Sequence, residues 1–213
     1  MSTKYVDNVA KEKRGIATVG SGGAMIDVVT IAGSPATPSR CAAALETARE
    51  LLERRGLTTT GLNLRDLPAE ALLGAGFQDP SVRRATALVT QARAIIVATP
   101  VYKAAYSGLL KTFLDLLPAD AMAGKGVLPI ATAGSLAHCL VLEYALKPVL
   151  SALGAASFLP GVCLIDSDFI YGGDGLARLE TAAGGRLAAA LDALEDDVRG
   201  RRDRANELLE IAV

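Results

Sequence analysis

Ile26-Asp27-Val28-Val29-Thr30-Ile31-Ala32-Gly33-Ser34-Pro35-Ala36-Thr37-Pro38-Ser39-Arg40 begins as a short β-branched run and ends in a loop of Gly, Ser and Pro. The residues that follow, Cys41 to Leu52, are rich in Ala, Leu and Glu, a helix composition. The order is strand, loop, helix. Backbone N–H groups at such a helix start lack intrahelical partners and point beyond the carboxyl end of the strand. Ser34 and Ser39 add hydroxyls and Arg40 a fixed positive charge, a set that suits a phosphate monoester. The competing reading is that Ser39 only caps the helix and Arg40 is solvated.

Working outward, residues 1–25 mix Lys, Glu, Asn and Gly without sustained periodicity and are expected to be a flexible extension. Within them Gly20-Ser21-Gly22-Gly23-Ala24 imitates part of a dinucleotide fingerprint, but a strand rather than a helix follows it, so the fingerprint's context is missing. Downstream, the first helix should end at Gly56, and Leu57 to Asn63 reads as a second strand. Leu64 to Phe77 reads as a loop or broken helix. Asp79-Pro80 then supplies a cap and a first-turn proline for a helix whose inward stripe is Val82, Ala85, Val89 and Ala92.

Ala94 to Ala98 is a continuous apolar run, as expected for a strand covered by helices on both faces. It leads into a second loop, Thr99 to Gly108, and Ser107 can cap a helix carrying Leu109, Leu110, Phe113, Leu114 and Leu117, stopped by Pro118. Lys125 to Ala131 is the next strand, followed by a third loop, Thr132-Ala133-Gly134-Ser135. A long helix is predicted over about 136–153, with a kink or a helix break near residues 145–147 caused by Pro148. Ala155 to Ile165 is a last strand interrupted at Pro160-Gly161, and Asp166 to Gly175 a loop. Leu176, Leu179, Ala183, Leu187, Leu191 and Leu194 form the stripe of a final helix, leaving 199–213 as a charged tail.

This alternation predicts an α/β fold, a three-layer sandwich on a five-stranded parallel sheet, with one domain over 26–198. The 213 residues suffice for one such domain. Ligands of these sheets collect where strand order reverses, between the first and third strands, which carry the strongest loops here. The formal net charge of -1 gives no basic excess for nucleic acid. No apolar run approaches the roughly 20 residues of a membrane span, and no secretory signal is visible. Cys41, Cys139 and Cys163 have no metal-ligand spacing and do not resemble a disulfide framework, so each is expected to be a small core or interface residue. A reducing cytoplasm is the simplest compartment.

Four separated blocks carry a more specific signal: Thr30 to Pro35 with Pro38-Ser39-Arg40; Ala98 to Gly108; Leu110-Lys111-Thr112 with Leu116-Leu117-Pro118; and Ala137-His138 with Tyr144 to Leu153. In these, residues 26 to about 195 resemble the NADPH-dependent FMN reductases of the flavodoxin-like superfamily, most closely the reductase component of two-component alkanesulfonate monooxygenase systems. The resemblance implies that Ser34, Ser39, Arg40 and the adjoining Cys41 serve the FMN phosphate end. It sets Pro100, Val101 and Tyr102 along the flavin and Gly134 and Ser135 near its other edge. It further implies that Tyr144 sits in a one-residue helical insertion at a tetramer interface and near the flavin, linked to treating FMN as a releasable substrate.

Two positions depart from the pattern. Ala36 stands where the family usually has arginine, and Cys41 replaces a common serine, so weaker or differently balanced flavin binding, not its loss, is expected. The implied activity is NADPH-dependent reduction of FMN for a partner FMN-dependent monooxygenase in organosulfur metabolism, by a homotetramer or homodimer. No protein acid or nucleophile is needed, which leaves His138 without an essential role. The alternatives are an FMN-retaining quinone or azo reductase and a non-enzymatic FMN electron carrier.

Overall fold

The computed structural model describes residues 26–173 and 175–211; the side chains of 205, 206 and 208–211 are outside that description. The predicted extension over 1–25 therefore lies outside the described residues. Five parallel positions form the main sheet: β1 (Val28–Ala32), β2 (Thr59–Asn63), β3 (Ala94–Pro100), β4 (Gly126–Ala133) and an edge split into β5 (Ser157–Phe158) and β6 (Val162–Ile165). Their order is β2-β1-β3-β4-β5, with β6 also on β4. This is the flavodoxin-like order, whose switch point falls between β1 and β3.

Both faces are covered, so β1, β3 and β4 are buried throughout and read as continuous apolar runs. Val28, Ile96 and Ile130 point to one face, packed by α1 (Arg40–Arg54) and the terminal α6 (Thr181–Ile211). Val29, Ile95 and Val97 point to the other, covered by α3 (Pro80–Gln91), α4 (Gly108–Leu114) and α5 (Lys147–Ala152). A short α2 (Ala69–Leu73) lies in the 64–77 stretch. Alternation at period two thus feeds two cores from one strand.

Local chemistry sets the boundaries. Asp79 caps α3 by accepting from the Ser81 and Val82 N–H groups, and Ser107 caps α4 by accepting from Leu110 N–H. The break in the fifth strand has a cause in β4. The register steps from Val127↔Phe158 to Ile130↔Val162, one extra residue on the edge strand, and Pro129, which has no N–H to give, stands opposite the insertion.

Four expectations are corrected. The long helix predicted over 136–153 is instead a 3₁₀ turn (Leu136–His138), a π-helix (Leu142–Leu146) and, directly continuing it, α5, with the change from π to α geometry just before Pro148, whose ring supplies no N–H. The predicted loop over 166–175 holds β7 (Phe169–Tyr171), paired antiparallel with β8 (Ala177–Leu179). Leu176 and Leu179 consequently lie outside α6, while Ala183, Leu187, Leu191 and Leu194 are its buried stripe. The predicted tail is not a separate segment, because α6 runs unbroken to Ile211.

The cysteines are the fourth correction. Cys139 and Cys163 form a disulfide across a Cα–Cα distance of 5.6 Å, tying the segment after β4 to β6. Only Cys41 among the three is a free buried thiol. Cysteine usage therefore gives no argument for a reducing compartment. Among the described residues, no helix is long and apolar enough to cross a membrane.

Candidate functional site

The loops after β1, β3 and β4 meet at the carboxyl end of the sheet. Gly33 N–H donates to Ala98 O at 2.8 Å, and Ser107 Oγ donates to Gly33 O, so the first two loops are fastened together. Glycine is required at 33 by this approach: a Cβ there would lie 2.9 Å from Leu110 Cβ and 3.1 Å from Ala98 O. The third loop joins through Val101 N–H, which donates to Thr132 O at 2.8 Å.

These loops enclose a cleft of about 230 Å³ lined by Ser34, Ala36, Pro38, Ser39, Arg40, Pro100, Val101, Tyr102, Thr132, Ala133, Gly134, Tyr171 and Ala177. Ser34, Ser39, Arg40, Pro100, Val101, Tyr102 and Gly134 are thus brought together around one cleft. Cys41 and Ser135 are not in the lining. Cys41 turns into the core, 3.2 Å from Thr132 Oγ1, and burial pushes its thiol up to about 11 against weaker opposing hydrogen bonds and the Arg40 charge. It is a neutral packing group at pH 7. Ser135 faces solvent, its Oγ 3.2 Å from His138 Nδ1.

The end of the cleft formed by the first loop and the start of α1 is polar. Ser34 is buried and its Oγ accepts from Ala36 N–H at 3.2 Å, while Ser39 Oγ accepts from Ala42 N–H at 3.3 Å; both hydroxyl protons can still be donated. The N–H groups of Arg40 and Cys41 open the first turn of a fifteen-residue helix. Arg40 itself pairs with Asp166 and lies over the Phe169 ring, 5.9 Å from its centroid. Arg65 donates to Ala36 O at 2.9 Å and to Thr37 Oγ1, bracing the loop at the position where arginine was expected.

The opposite wall is half-exposed aromatic surface, Tyr102 and Tyr171. Tyr102 and Ala105 exchange both backbone bonds, at 2.9 and 3.0 Å, around Lys103 (φ 49°) and Ala104 (φ 63°). Left-handed backbone at two non-glycine residues is strained, and it borders the cleft. Tyr171, Ala177 and Arg65 were missed from sequence. Phe169-Ile170-Tyr171 and Ala177-Arg178-Leu179 flank a glycine-containing connection, which is a hairpin signal, although triplets are too short to show alternation. Tyr144 is not in the cleft lining; it stands on the π-helix, 80% exposed.

Residues 26–169 match the family model described as NADPH-dependent FMN reductase. The chain belongs to this family. An FMN reductase (NADPH) of Pseudomonas putida KT2440 is 51% identical over 166 residues, spanning 78% of this chain and 84% of that protein. The FMN reductase (NADPH) of Escherichia coli K12 is 53% identical over 143 residues, 67% of this chain and 75% of that protein. Among solved structures, the apo form of an NADH:FMN oxidoreductase (EMOB) matches with a TM-score of 0.70 and 36% identity, covering 79% of this chain and 88% of that one. This FMN reductase uses NADPH to reduce FMN.

Proposed function

We propose that this FMN reductase treats FMN as a substrate it releases, supplying reduced flavin to an FMN-dependent monooxygenase, with organosulfur compounds as the downstream substrates. The observation that carries the reading is the open ring-side wall: Tyr102 and Tyr171, which line the cleft there, are half-exposed to solvent. The cleft suits the phosphate and ribityl chain, with the flat ring left against the open wall. A ring held on one face is easily surrendered.

The donor set fits FMN. Ser34, Ser39, Arg40 and the first-turn N–H groups of α1 would hold the phosphate. Pro100, Val101 and Tyr102, with Gly134 across the cleft and Tyr171 beside them, would support and orient the ring. When bound, the flavin supplies the redox chemistry, accepting a hydride equivalent from NADPH. The chain's own residues bind, align and partly shield; His138, exposed on its turn, has no step to perform.

Assembly is part of the proposal. Leu136, Leu140 and Tyr144 recur every fourth residue and are 68%, 63% and 80% exposed, an apolar surface suited to a homotetramer or homodimer. Tyr144 on its π-helix would then approach the flavin from a neighbouring copy, in keeping with the frequent occurrence of π-bulges at functional sites. We place the reaction in the cytoplasm, where its nicotinamide donor is kept reduced.

The test is steady-state NADPH oxidation by flavin-stripped protein across added FMN, with and without a quinone. Saturable dependence on free FMN without another acceptor supports the supplying reductase. Turnover that requires bound FMN plus quinone instead makes the protein a flavin-retaining quinone or azo reductase. Tight FMN binding with no NADPH oxidation would leave only an electron carrier.

A further inference from the structure

Among the described residues lining the cleft, Arg40 is the single charged side chain, and it is already paired with Asp166. The carboxylate arrives from 126 positions away in sequence, on the turn that follows β6. That turn is firmly built. Asp168 Oδ2 accepts from Ile165 N–H at 2.8 Å, Asp168 O accepts from Glu180 N–H at 2.8 Å, and Arg186 Nη2 lies 2.8 Å from Asp168 Oδ1. Asp166 itself remains 64% exposed, with its side chain free to turn to water.

A phosphate entering this cleft therefore meets a guanidinium that has a partner. It must share Arg40 with Asp166 or displace it, and the displaced carboxylate remains close to a dianion of the same sign. We propose that Asp166 is a positioning residue that sets the affinity for the phosphate end of the flavin by competing for Arg40. The inference rests on the reading of Arg40 as a phosphate ligand given above and deepens it. Asp166 holds Arg40 in place over Phe169 when the cleft is free and lowers the affinity for FMN, so that bound flavin leaves readily. An affinity set through the phosphate acts on FMN and spares riboflavin, which shares the ring but carries no phosphate.

The experiment is a fluorescence titration of full-length, flavin-stripped protein with FMN and, separately, riboflavin, for the wild type, Asp166→Asn, Asp166→Glu, Arg40→Ala and the Arg40→Ala/Asp166→Asn double variant. Asp166→Asn is expected to tighten FMN about fivefold, the scale of one partly exposed ion pair, and to slow FMN dissociation to match. Riboflavin affinity should not move, Asp166→Glu should return the wild-type value, and the gain should vanish in the Arg40→Ala background. An Asp166→Asn protein whose FMN affinity is unchanged or weaker, while Arg40→Ala weakens FMN, overturns the competition and leaves the phosphate reading intact. Equal tightening of riboflavin also overturns it, because Asp166 would then act on the ring. Unchanged FMN affinity in Arg40→Ala removes the phosphate reading and the competition together. Asp166→Ser, read in the same titrations, serves if asparagine distorts the turn.

Discussion

At the amino-terminal end of the sheet, Asp27 is buried and every contact it makes is internal. Its Oδ2 accepts from the Thr58 N–H and Oγ1, each at 2.9 Å, and its Oδ1 lies 3.4 Å from Arg93 Nε. Nearby, Lys125 Nζ donates to Thr90 O and Ala92 O, both at 2.7 Å. At the carboxyl end the same strands finish in hydroxyls with protons to spare, a guanidinium that shares its charge with an exposed carboxylate, and two left-handed non-glycine residues. One end spends its polar groups on closing the fold; the other keeps them available and strained. The contrast teaches that substitutions at the two ends should separate stability from flavin affinity.

The sharpest break of that comparison is Asp27→Ala. It leaves the Thr58 N–H and the Arg93 guanidinium without a buried carboxylate, and removing one member of such a network costs about 3 kcal/mol. Urea unfolding should show that loss, while FMN affinity of the folded fraction stays at the wild-type value. A changed affinity would show that the two ends are coupled.

Gly33→Ala comes next and should move both readouts. The added methyl meets Leu110 Cβ at 2.9 Å inside a packed core, so the loop must shift, at about 2 kcal/mol. Because Ser107 is fastened to Gly33 O, the shift carries the second loop with it. FMN titration should weaken severalfold, alongside a lower midpoint in urea.

How far these two ends could be read beforehand follows from the range of the interactions. The first loop and helix were legible because a β-branched run, a Ser cap and an Ala-rich helix are all signals within a dozen residues. The caps at Asp79 and Ser107 and the split at Pro160-Gly161 were legible for the same reason. The Cys139–Cys163 bridge, the Arg40–Asp166 pair and the Arg65 brace were not, since each joins residues that only the folded topology brings together. The end of α6 was misplaced because charged residues continue a helix as readily as they make a tail.

A smaller effect tests the strain at the carboxyl end. Ala104→Gly should relieve the left-handed backbone at φ 63°, and after the greater chain entropy of glycine the net gain is about 0.5 kcal/mol. If the turn holds Tyr102 against the flavin, stability rises while FMN affinity falls. An FMN affinity that stays at the wild-type value while stability rises would show that the strain has no bearing on the ligand.

The smallest effect is a pH dependence at the turn that presents Asp166. Burial acts to raise the Asp168 pKa, but the Arg186 guanidinium and the Ile165 N–H outweigh it and hold the carboxyl below its ordinary value. The unfolded chain therefore binds the proton first as acid is added. Stability from this group is complete above the unfolded carboxylate's pKa of about 4 and is lost as pH falls through the lower folded value. Asp168→Asn should remove that part of the acid dependence and leave stability at pH 7 reduced, because Arg186 loses its charged partner. Urea midpoints for the wild type and variant should therefore converge as pH falls below 4. Parallel curves over that range would show that the turn is held by its backbone bonds alone, and that Asp166 is presented without help from the Asp168 charge.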